Sequence, residues 1–175
     1  MRLSNQKLIR GKQYMLKLIT HCVFLFQCLT IAGTLSAAEN WSLQIAEEAF
    51  INGDSKTAVT HWQGLAALGD IVAMNNLGYA HEKGLIVHQN DKLALVWYRK
   101  AANHGFPTAM FNVGEALYEG RGTNSNSVEA LKWLILAGSN GDPEAQRLAS
   151  TVSKKLTESD VKEAIQRANR WRPEK

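Results

Sequence analysis

The stretch Ala73–Thr108, AMNNLGYAHEKGLIVHQNDKLALVWYRKAANHGFPT, laid without a gap over Ala109–Glu144, AMFNVGEALYEGRGTNSNSVEALKWLILAGSNGDPE, is identical at thirteen of thirty-six positions. Composition alone would give about two or three such identities. The chain therefore contains an internal repeat, and its fold has to be one that renews the same packing every thirty-six residues. The shared positions include Ala73/Ala109, Met74/Met110, Asn76/Asn112, Gly78/Gly114, Gly84/Gly120, Asn90/Asn126, Trp97/Trp133, Ala101/Ala137, Gly105/Gly141 and Pro107/Pro143.

Each unit reads as two helices. Ala73, Leu77, Ala80 and His81 recur at three-to-four spacing, and Leu93, Ala94, Trp97 and Ala101 do so after a break. Gly84 and Gly120 suit the left-handed turn that ends a first helix, and Asn90 and Asn126 sit where an N-cap should open the second. Gly105 and Gly141 should end the second helix, with Pro107 and Pro143 in the first turn of the next. Small residues at Gly78/Gly114 and Ala101/Ala137 let paired helices approach, and Trp97 and Trp133 are expected to fill the space between them.

Working outward, the period continues in weaker form, as it does when end units face solvent. Trp41 to Ile51 reads as a helix, Asn52-Gly53-Asp54 as a turn and Ser55 to Leu68 as a second helix, with Gly69 in register with Gly105. Downstream, Asp142-Pro143-Glu144 opens a helix to about Lys155, and Thr157-Glu158-Ser159-Asp160 caps a more polar one ending near Trp171. No alternating strand pattern is present. The expected fold is all-α, a right-handed α/α superhelix (solenoid) of about four helix pairs, with units near 39–72, 73–108 and 109–144 and a cap over 145–175.

Residues 1–38 carry five basic side chains (Arg2, Lys7, Arg10, Lys12 and Lys17) and no acidic one, then an apolar run from Leu18 to Leu35 and Ser36-Ala37-Ala38. That is the order of a secretory signal, with cleavage expected after Ala38. Met15 would start a tidier version. The run approaches the length of a membrane span, but His21, Gln27 and Gly33 interrupt it, so no stable membrane insertion is expected after cleavage. The whole-chain net charge of +4 belongs to this leader, since 15 basic residues face 16 acidic ones from Glu39 onward. No basic excess is left for a nucleic-acid partner. Cys22 and Cys28 leave with the leader, so the mature domain, 39–175, has no disulfide and no thiolate chemistry. Its destination is the periplasm or the exterior.

Catalytic constellations do not assemble. His81-Glu82 begins a metalloprotease pattern, but the second histidine, due four residues on, is replaced by Leu85. His61, His81, His88 and His104 lack ligand spacing on one helix face. Gly120-Arg121-Gly122 is a turn rather than a phosphate loop, and Glu47-Glu48 and Glu115/Glu119 read as solvated carboxylates. No catalytic residue, metal or cofactor is expected, and the protein is not read as an enzyme.

Taken in order, Ala73-x-x-x-Leu77-Gly78, Gly84, Asp91-Lys92-x-Ala94-x-x-Trp97-Tyr98-x-Lys100-Ala101-Ala102 and Gly105 resemble the Sel-one-like repeat, a relative of the tetratricopeptide repeats with a longer turn between its helices. The second unit keeps Ala109, Gly114, Tyr118, Gly120, Gly122, Ala130, Trp133, Ala137 and Gly141, but has Val113 for the leucine and Ala137-Gly138 for the alanine pair. The resemblance implies a scaffold or adaptor that holds partner proteins, and exported bacterial members are linked to envelope functions. Cysteine-rich members bind or slowly process cell-wall ligands. The absence of a cysteine pair in any repeat sets this chain apart from them, although a cell-wall-directed binding protein or weak hydrolase stands as the alternative.

Stacked helix pairs expose their first helices along one concave groove. By helical phase, the residues beside the core stripe are Asn75, Tyr79 and Glu82, with Phe111, Glu115 and Tyr118 one unit later. Aromatics among carboxylates suit a protein or peptide segment carrying apolar and basic groups. Phe111 and Tyr118 could equally pack beneath neighbouring units. The chain is expected to act as a monomer.

Overall fold

The computed structural model describes residues 41–85 and 88–174. Among them are eight helices and no strand: α1 Leu43–Ile51, α2 Ser55–Ala67, α3 Ile71–Lys83, α4 Asp91–Asn103, α5 Pro107–Glu119, α6 Ser127–Ser139, α7 Pro143–Ser153 and α8 Glu158–Arg170. The expected leader lies outside the described residues.

Helix starts follow from side chains that accept the first orphan N–H groups. Asn90 accepts from the Leu93 amide and Asn126 from that of Glu129, both at 3.0 Å. Asp54, Asp70, Asp142 and Thr157 do the same for α2, α3, α7 and α8. α5 has no capping side chain, and Pro107 at its first turn removes one of the donors that would need one. Gly84 (φ 63°) and Gly120 (φ 77°) end α3 and α5 in the left-handed conformation. Ser42 caps α1 through the Ile45 amide, so that helix starts two residues later than the pattern suggests. Trp41 lies ahead of it, edge-on to His61 with ring centroids 5.6 Å apart.

The thirty-six-residue register is visible in the backbone hydrogen bonds of the turns. The Asn90 amide donates to His81 O at 2.9 Å, and the Asn126 amide donates to Leu117 O at 2.8 Å, one unit later. Between units, the amides of Asp70, Phe106 and Asp142 donate in turn to Leu65, Ala101 and Ala137. The first member of that series places α1 and α2 in the same register as the two clear repeats.

Each helix from α1 to α6 packs on the next in the chain, through columns of buried alanine at Ala58/Ala94/Ala130, Ala73/Ala109/Ala145 and Ala101/Ala137. Small side chains bring helix axes close and leave each interface dependent on one large residue. That residue is not the tryptophan of the repeat. The column facing the first helix is Trp62/Tyr98/Leu134, each buried to within 2% of full occlusion. A methyl group on Gly78 would lie 2.5 Å from the Tyr98 ring, and one on Gly114 would lie 2.7 Å from Leu134 Cγ. Consecutive residues on a helix are about 100° apart, so Trp97 and Trp133 point elsewhere. Trp97 is half-buried, with the Lys100 ammonium 4.2 Å from its ring centroid. Trp133 is buried and packs edge-on to Trp171 at 6.0 Å.

The fourth pair is not a hairpin. α7 and α8 both rest on α6, with Arg167 of α8 on Glu129 of α6 at 3.1 Å. The segment after α8 then reaches back to the end of α4, where the Glu174 amide donates to Asn103 O at 2.8 Å.

Candidate functional site

The first helices of successive units, α1, α3, α5 and α7, are joined along one face by side-chain contacts. Phe50 on α1 meets Tyr79 on α3 edge-on, with centroids 6.0 Å apart. Asn112 on α5 donates to Asn75 Oδ1 on α3 at 3.1 Å. Arg121, just beyond α5, reaches Glu82 on α3 at 3.2 Å. Lys155, past the end of α7, donates to the Tyr118 hydroxyl and lies 5.1 Å from its ring centroid.

The six residues expected to line the groove divide accordingly. Tyr79 is 39% exposed, the most open of them, with the Lys83 ammonium 5.6 Å from its ring centroid. Glu115 and Tyr118 are half-buried at the surface. Phe111 is packed against the core, and Asn75 is buried at 9% with its amide engaged by Asn112. Asn75 lies on the α5 side of α3, so its side chain serves the joint between units. Glu82 is half-buried and already engaged. It accepts from the Tyr98 hydroxyl and from Lys83, each at 2.7 Å, besides pairing with Arg121.

Arg121 organises this centre. Beyond Glu82 it pairs with Glu115 and, at 2.7 Å, with Glu119. One guanidinium thus faces three carboxylates from two units, a task for a planar fork of five donors rather than for an ammonium. Sequence pattern classed it as part of a turn. The available signal was that Glu82, Glu115 and Glu119 crowd one face with no cation at helical spacing to balance them.

Ionisation follows from this geometry. Burial works to raise Glu82, but hydrogen bonds from Lys83 and Tyr98 and the charge of Arg121 outweigh it, and its carboxyl stays below its ordinary value. Burial and the bond to the Glu82 carboxylate push the Tyr98 hydroxyl far above the usual phenol range. Arg121 is raised: burial opposes its charge, and Glu82 and Glu115 overcome that opposition. The space among Glu82, Asp91, Tyr98 and Arg121 is about 10 Å³, room for about one water and no substrate. These groups are satisfied by one another, which describes a rigid charged surface rather than acid–base machinery. Among the described residues no group of three or more His, Cys, Asp or Glu side chains is placed to hold a metal ion, and no helix is long and apolar enough to cross a membrane.

An α/α repeat solenoid with its first helices joined along one open face is the class these features define. Residues 71–106 and 107–142 each match the Sel1 repeat model, so the chain contains two Sel1 repeats. Such repeats typically serve as protein–protein interaction scaffolds. Among solved structures, the chain is similar to a protective antigen present in uropathogenic Escherichia coli strains and displaying an SLR fold. The TM-score is 0.69 and the identity 28%, over 73% of this chain and 28% of that one. It is also similar to a Sel1 repeat protein from Oxalobacter formigenes, with a TM-score of 0.63 and 32% identity over 73% of this chain and 54% of the other. The chain therefore spans about a quarter and about half of the lengths of these two proteins. No curated protein matches in sequence.

Proposed function

We propose that this protein is an exported scaffold that captures a protein segment along its first-helix face. The observation that carries this reading is the surface around Arg121. Tyr79 and Tyr118 flank a centre in which Glu82, Glu115 and Glu119 meet Arg121 and Lys83, with Lys155 at the Tyr118 ring, and the Glu119 carboxylate is half exposed. An apolar and basic segment fits it: aromatic rings supply rigid contact area, and the half-exposed Glu119 carboxylate orients a cation. Export is supported by the order of charge, apolar run and small residues over 1–38.

A photoreactive side chain placed at Tyr79 or Glu115 in the producing cell should give a discrete adduct with a partner protein, while one at Ile165 on α8 should not. Equal labelling from all three positions would remove this face from consideration. Export predicts recovery from the medium or an osmotic-shock fraction with Glu39 at the amino terminus. Full-length protein retained inside the cell would contradict it.

A further inference from the structure

The repeat allows one surface of the molecule to be compared with itself thirty-six residues away. On α6, the stripe Glu129, Lys132, Trp133 is covered by α8 and the segment after it: Arg167 bonds Glu129 at 3.1 Å and Trp171 packs on Trp133 at 6.0 Å. The same segment crosses the loop before α5, where a methyl group on Gly105 would lie 3.6 Å from Pro173 and 4.0 Å from Trp171. It ends on α4, with Asn103 donating to the Glu174 carboxylate at 2.9 Å.

One unit earlier, the corresponding stripe on α4 is Leu93, Val96, Trp97 and the corresponding loop carries Leu68 and Gly69. Among the described residues no helix lies on it, and Trp97 there is half-buried with only the Lys100 ammonium over its ring. Leu93 is 43% exposed, Val96 47% and Leu68 77%, and a methyl group on Gly69 would meet nothing within 4 Å. Exposed apolar side chains on the second-helix side of the stack, at positions covered one unit later, point to an occupant. Beside it opens a cleft of about 470 Å³ lined by Met74, Val96, Arg99, Lys100 and His104 and bounded by Glu174. Arg99 and Lys100 make no salt bridge among the described residues.

We propose that this face of α4 is a docking site for an amphipathic helix from a partner protein, laid down as α8 lies on α6, with an aromatic residue over Trp97 and Gly69 and carboxylates toward Arg99 and Lys100. The substitutions between the two surfaces specify the occupant. Leu93 stands where Glu129 receives Arg167, and Ala67 and Leu68 stand where Asn103 and His104 receive Glu174. The α8 of a second copy would bring Arg167 and Glu174 against apolar groups that cannot pair with them, at the full cost of desolvation. The occupant is apolar at those two points and acidic at the cationic rim, the helix-in-groove mode of recognition with charge setting the partner. This surface lies on the second-helix side and does not depend on the reading of the Arg121 face.

The test uses the full chain and two synthetic peptides of residues 156–174. One is unaltered; the other carries R167L, R170E, R172E and E174L. Isothermal titration calorimetry should show saturable binding of the altered peptide, weakened in a W97F variant. Leu93→Glu with Val96→Glu should weaken it at least about tenfold, and Lys100→Glu by several-fold, with melting temperature and helicity unchanged because all three side chains are exposed. No saturable binding would overturn the proposal. So would equal affinity for the unaltered peptide, which would make a second copy the occupant, or binding indifferent to Leu93 and Val96.

Discussion

Replacing Gly78 with alanine sets two known effects against each other, and the structure decides which wins. In an exposed helix interior the change stabilises by about 1 kcal/mol, because glycine is the freer residue in the unfolded chain. Here the new methyl carbon would sit 2.5 Å from two carbons of the Tyr98 ring, where contacts are ordinarily at about 3.5–4.0 Å. The ring cannot simply withdraw, since it is 2% exposed and its hydroxyl is held by Glu82 at 2.7 Å. Overpacking costs about 1–3 kcal/mol, and stretching a hydrogen bond to a charged acceptor adds about 1 kcal/mol or more. After the helix gain is deducted, Gly78→Ala should destabilise by about 1–3 kcal/mol, a fall in Tm of about 3–10 °C. Urea unfolding followed by far-UV circular dichroism reads this directly, with an unchanged slope certifying a comparable transition. In a Tyr98→Ala background the same Gly78→Ala change should become stabilising, so the double-mutant cycle should show coupling above about 1 kcal/mol. If Gly78→Ala alone is as stable as the parent or more so, α3 and α4 are not held at contact distance by this pair, and the account of the interface is wrong.

Arg121→Met should cost about 1–2 kcal/mol, because it leaves Glu82, Glu115 and Glu119 facing one another; the loss should shrink at high salt in a denaturation series, and insensitivity to salt would show that the three carboxylates do not interact. Glu82 and Glu129 both sit below the ordinary carboxyl value of 4.5, so each contributes stability above that pH and loses it as pH falls through the lower folded value. Glu82→Gln and Glu129→Gln should therefore lower stability at pH 7 and flatten its decline below about pH 4.5, whereas parallel acid limbs in variant and parent would refute the assignment. Trp171→Ala should destabilise by about 2 kcal/mol by uncovering Trp133, with increased amide exchange at the end of α4; exchange confined to α8 would show that the returning segment does not brace α4.

Much of the fold was legible because it depends on residues with few conformational alternatives. Gly84, Gly120, Asn90, Asn126 and the two prolines each mark a boundary, and the observed caps fall on them. What sequence pattern could not resolve was direction within an element. Trp97 and Tyr98 are neighbours about 100° apart on one helix, and conservation between units drew attention to the tryptophan, while the interface is filled by Tyr98 and by the non-identical Leu134. Asn75 was placed on the open face from the same phase argument and lies inside the joint between units.

Long-range partners were beyond the pattern for a different reason. Arg121 lies outside any helix, so no periodicity linked it to Glu82 thirty-nine residues earlier. The packing of α8 on α6 rather than on α7 rests on Arg167–Glu129 and Trp171–Trp133, contacts between residues thirty-eight apart that no local rule anticipates.

The central claim is that residues thirty-six apart occupy equivalent places in a stack held together by neighbours. Duplicating Ala73–Thr108 in place, immediately after Thr108, tests it most directly, because it adds one unit and keeps every interface in register. Circular dichroism with urea unfolding should show unchanged helicity per residue and a midpoint no lower than that of the parent. Loss of helicity, or a chain that no longer unfolds cooperatively, would contradict it.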